Sequence, residues 1–119
     1  MEPRPVSVFD VVKRAADIVD PDDEDAAVGD FEQAFEDDDE PVAGLDVEER
    51  VADVLARLDP AVNNGSLSMA GALTVYLSFR RDELNADPAE LIRLAVRAEW
   101  NGEPPSVVTD WLDERNLKP

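Results

Sequence analysis

The sequence predicts an all-α fold: a compact single-domain bundle of about six helices with a central buried helix near residues 66–82. Three observations predict it. Apolar residues recur at the helical period between Asp-Pro and Asn-Gly breaks. No run of alternating β-branched residues and no hairpin pair occurs. One segment, Ser66 to Leu84, is apolar on nearly every side through Met69, Ala70, Ala72, Leu73, Val75, Tyr76, Leu77 and Phe79. A helix apolar all round is normally a buried one. Its apolar run stays below the ~18 unbroken residues that a membrane span needs.

The 119 residues suit one helical domain, 1–119. Residues 1–6 are Pro-rich and read as an arm. Ser7 then caps a first helix, with Asp10 three residues on giving a box-like pattern. Val8, Val12, Ala15 and Val19 form its inner stripe, and Asp20-Pro21 ends it. A second helix is expected from about Asp23 to Glu36. Asp22, Asp23, Glu24 and Asp25 face the positive end of its dipole, and Ala27, Val28, Phe31 and Phe35 form its inner face. Gly29 weakens it by roughly 1 kcal/mol relative to Ala. Residues 37–44 read as a solvated acidic loop.

Asp46 and Glu49 make a capping-box pattern for a third helix, with Leu45 as a hydrophobic staple. Val47, Val51, Val54, Leu55 and Leu58 follow the helical period until Asp59-Pro60. The loop 59–65 carries strong turn chemistry, tightest at Asn64-Gly65. The central helix ends in Arg80-Arg81, cations that suit a C-terminal dipole. Asp87-Pro88-Ala89-Glu90 is the clearest local signal: an N-cap, a proline at the first helical position and an acid at the third. That helix stops at Asn101-Gly102, and a last one carries Val107, Val108, Trp111 and Leu112 to near Asn116. No internal repeat is convincing in the residues themselves.

Charge is the outstanding feature of the composition. There are 29 acidic residues against 11 basic ones, a net charge of -18. A small soluble domain ordinarily carries a magnitude of roughly 2–8. Such a chain repels nucleic acid and anionic membranes, and favours cationic partners or concentrated salt. Residues Ala15 to Glu49 hold 16 acidic side chains and no basic one. The bias toward Asp over Glu and Arg over Lys, with little Ile, resembles the composition of salt-adapted proteins. With no apolar run behind the N-terminal residues, the expectation is a soluble cytoplasmic protein.

Several chemistries lack their residues. The chain has no Cys and no His, which removes thiolate nucleophiles, disulfides, the usual zinc ligands and the commonest general base. The acidic runs do not fit an EF-hand. Counting from Asp20, position 6 is Asp25 where Gly is needed, and position 12 is Phe31 where Glu is needed. Counting from Asp37, position 5 is Pro41 and position 6 is Val42. No Gly-rich phosphate loop and no nucleophile elbow occurs. A hydrolase working with carboxylates alone would need a desolvated acid, and Glu99, between Ala98 and Trp100, is the one to check. No cofactor and no metal is expected, and the protein reads as not an enzyme.

The functional reading is therefore an interaction or adaptor module that presents an acidic surface to a basic protein, with no direct binding of nucleic acid and no membrane. The acidic candidates are Asp22, Asp23, Glu24, Asp25, Asp30, Glu36, Asp37, Asp38, Asp39 and Glu40. Arg80 and Arg81 are the densest positive pair and could pin a carboxylate. Trp100 and Trp111 become partner contacts if they are exposed, and core packing otherwise. Two alternatives accompany this reading. One is a DNA mimic, with carboxylates at phosphate-like spacing occupying the groove of a nucleic-acid-binding protein. The other is acidity that serves salt adaptation.

Overall fold

A computed structural model describes residues 7–36, 47–61, 63–80 and 86–117. The expected arm 1–6, the acidic loop 37–44 and the capping residues Leu45 and Asp46 lie outside them. Among the described residues there are six helices: α1 (Val8–Val19), α2 (Ala26–Gln33), α3 (Val47–Leu58), α4 (Gly65–Phe79), α5 (Pro88–Trp100) and α6 (Ser106–Glu114). Among the described residues there is no strand. The radius of gyration is 13.4 Å, close to the ~13.5 Å expected of a compact chain of this length.

Helix α4 is the axis of the bundle, and each of the other five helices packs against it. Its residues Leu67, Met69 to Thr74 and Leu77 are buried, which covers more than one face. Thr74 is the one fully buried polar side chain there. Its hydroxyl donates to the Ala70 carbonyl at 2.8 Å, so no polar group is stranded. Small residues let neighbours come close. A Cβ on Gly65 would run into the Val107 carbonyl oxygen, so the start of α4 lies directly on α6. A Cβ on Gly71 would stand 2.7 Å from Leu55 Cδ1, where α3 crosses α4.

The caps follow the local chemistry. Ser7 Oγ accepts from the Asp10 N–H at 3.1 Å, and Asp10 Oδ2 accepts from the Ser7 N–H at 3.0 Å, closing the box on α1. Asp87 caps α5 with Pro88 behind it, and Asn101 ends α5 in the left-handed conformation at φ 57. Four boundaries differ from expectation. Helix α2 begins at Ala26, not near Asp23, because Asp25 is its N-cap. It also ends in a turn over 34–36, before the acidic run. Asn64-Gly65 is a helix start, with the Asn64 side chain accepting from the Leu67 N–H at 3.1 Å. Helix α4 ends at Phe79 instead of running on toward 82.

The two Asp-Pro breaks share a hydrogen-bond pattern. The corner between α1 and α2 and the corner between α3 and α4 have the same construction. Asp20 closes α1, is followed by proline, and accepts from the Glu24 and Asp25 N–H groups at 3.0 and 2.9 Å. Asp59 closes α3, is followed by proline, and accepts from the Asn63 and Asn64 N–H groups at 3.0 and 2.9 Å. In each corner the last of those residues, Asp25 or Asn64, caps the next helix.

Candidate functional site

The acidic candidates divide by what their carboxylates already do. Asp22, Asp23 and Glu24 are exposed in the α1–α2 corner, with Asp23 at φ 55. Asp25 is half-buried and occupied, accepting from the Ala27 and Val28 N–H groups at 3.0 and 3.3 Å. It is a structural cap before it is a binding group. Asp30 is exposed on α2 and Glu36 on the turn beyond it. Asp37, Asp38, Asp39, Glu40 and Arg81 fall outside the described residues. Arg80 is exposed at the end of α4, and its N–H caps the Tyr76 and Leu77 carbonyls.

The tryptophans separate cleanly. Trp111 is 5% exposed and belongs to the core, so the partner-contact role does not hold for it. Its ring carries the Arg115 guanidinium at 4.1 Å, and Arg115 Nη2 also donates to the Val19 carbonyl at 3.4 Å. The Trp111 Nε1–H is buried and has no acceptor among the described residues. Trp100, by contrast, is half-buried and stands at an open groove.

That groove, of about 240 Å³, runs between α3, α4 and the end of α5. Val51, Ala52 and Leu55 form one wall, and Gly71, Ala72 and Val75 form the floor. Glu48 from α3 and Glu99 from α5 both line it. Partial burial raises the Glu99 carboxyl above its ordinary value of 4.5, and the Glu48 charge pushes it further the same way. Two acids on different helices thus face one apolar slot. The sequence singles out Glu99 and Trp100 but misses Glu48. Its signal is there, since Glu48 lies three and seven residues before Val51 and Leu55 and so shares their face.

A larger cavity of about 550 Å³ opens where α4 begins, beside α6. Its polar lining includes Asp59 and Asn64, both already engaged as caps, and Asp110 and Glu114. It is an open cleft left by the corner. Among the described residues, no three His, Cys, Asp or Glu side chains gather as metal ligands, and no helix is long and apolar enough to cross a membrane. No protein-family description, curated protein or solved structure gives a significant match to the chain.

Proposed function

We propose that the protein is a non-catalytic interaction module that docks a basic segment of a partner protein on its acidic half. The observation that supports this reading is the set Asp22, Asp23, Glu24, Asp30 and Glu36. These carboxylates are exposed on or beside α2, within a stretch from Ala15 to Glu49 that holds no basic residue. Their partner must supply positive charge, since like charge at close range costs affinity and slows encounter.

The test is affinity capture followed by direct binding of the purified partner. Charge reversal at Asp22 and Asp23 is expected to weaken binding by about tenfold or more, with a slower association rate and a steep salt dependence. Asp53→Lys, an exposed change on α3, serves as the control. Equal loss from the control, or no loss from the reversal, refutes the reading.

A further inference from the structure

We propose that the groove between α3, α4 and α5 receives one lysine side chain of that partner, its stem against the apolar walls and its ammonium between Glu48 and Glu99. This inference rests on the docking reading and gives it a point of attachment.

Size comes first. At about 240 Å³ the slot is smaller than the roughly 300–1,000 Å³ of pockets that enclose small molecules. It suits a single extended side chain. The lining then sets the chemistry. Val51, Leu55, Ala72 and Val75 offer an apolar track. A long aliphatic stem covers such a surface while its charged head stays at the wet end. Gly71 contributes depth, because any larger residue there would press on Leu55.

Charge complementarity selects the head group. Glu48 and Glu99 come from separate helices and line the same slot. A single cation between them removes a repulsion that exists without it. Trp100 adds an aromatic surface, which attracts cations and excludes anions. Two carboxylates from different helices favour an ammonium over a guanidinium. Ammonium is a compact point charge with three rotatable donors, whereas the planar guanidinium fork prefers one carboxylate bound in its plane.

The probe is octalysine, compared with octaarginine and with octalysine acetylated at every Nζ. The readout is the indole N–H resonance of Trp100, with Trp111 as the internal reference, at about 0.15 M salt. Octalysine is expected to move the Trp100 resonance saturably. Glu48→Gln with Glu99→Gln should weaken it about tenfold or more. Asp53→Asn with Asp113→Asn, two exposed positions outside both the groove and the acidic docking set, removes the same charge and should leave the Trp100 response within about twofold. Near-ultraviolet circular dichroism verifies that both double variants keep the native packing.

An unmoved Trp100 resonance, an equal response to acetylated octalysine, or equal losses from the two double variants overturns the groove assignment. Octaarginine binding as tightly as octalysine overturns the choice of lysine. If octalysine still binds and only the charge reversal at Asp22 and Asp23 weakens it, the groove fails and the docking reading stands. If octalysine does not bind even at low salt, both fail.

Discussion

Asp20 and Asp59 perform the same task at two corners of the bundle, each accepting two backbone N–H groups four and five residues ahead. These bonds tie the end of one helix to the cap of the next. Asp20→Ala and Asp59→Ala are therefore expected to cost about 1–2 kcal/mol each, the range of a lost helix cap. Asp59→Asn should cost less, because it keeps one acceptor oxygen. Asp22→Ala should stay within roughly 0.5 kcal/mol, as an exposed change does. Urea denaturation of the four variants separates the outcomes, and equal losses at Asp22 and Asp20 would contradict the corner's construction.

Two glycines should respond in opposite directions. Nothing lies within 4 Å of a Cβ placed on Gly29, inside α2. Gly29→Ala should stabilise by roughly 0.5–1 kcal/mol through helix propensity and backbone entropy. Gly65→Ala would drive its methyl into the Val107 carbonyl and against Trp111 Cβ, neither of which yields easily. A loss of roughly 1–3 kcal/mol is expected there. Thermal unfolding should show midpoints shifted to opposite sides of the parent protein.

The raised Glu99 carboxyl gives a signed pH dependence. Between its ordinary value of 4.5 and its raised folded value, the folded state holds more protons than the unfolded one. Stability then falls as pH rises through that window. Burial is the first cause and Glu48 the second, so Glu99→Gln should stabilise the protein at pH 7 and have no effect below about pH 4. The gain should be a few tenths of a kcal/mol, within the roughly 0.5 kcal/mol span of surface changes, because Glu99 stays largely solvated. Glu48→Gln should lower the Glu99 titration midpoint, read by carboxyl carbon resonances. An unmoved midpoint would mean that the two acids do not interact.

A net charge of -18 opposes compaction at low ionic strength. Raising KCl from about 0.02 to 1 M shortens the screening length to about 3 Å. The urea midpoint should rise over that interval, most steeply below about 0.15 M, where surface charges first become screened. A midpoint independent of salt would show that the carboxylates repel one another no more in the folded state than in the unfolded chain.

Much of this fold is legible in the residues, and the exceptions have physical causes. Asp87-Pro88 and Ser7 with Asp10 are local signals, complete within one turn of helix, and both caps form as read. The start of α2 is not local in that sense. Four consecutive acids could each cap it, and the choice falls on Asp25 because Asp20 already holds the Glu24 and Asp25 N–H groups. Gly65 reads as turn chemistry, yet its small size serves α6, more than forty positions later in the chain. The site shows the same limit. Trp100 and Glu99 stand out as neighbours in sequence, but Glu48 joins them only when α3 and α5 each pack on α4.

The position of α4 also bears on how the bundle assembles. Its hairpin partner α3 is reached through a short corner, so that pair can close with little loss of chain entropy. Helix α1, which also packs on α4, must return across the whole acidic segment. Closing that larger loop costs more entropy and brings crowded carboxylates together. On loop length alone, the α3–α4 pair is expected to close before α1 docks, and salt is expected to accelerate that docking.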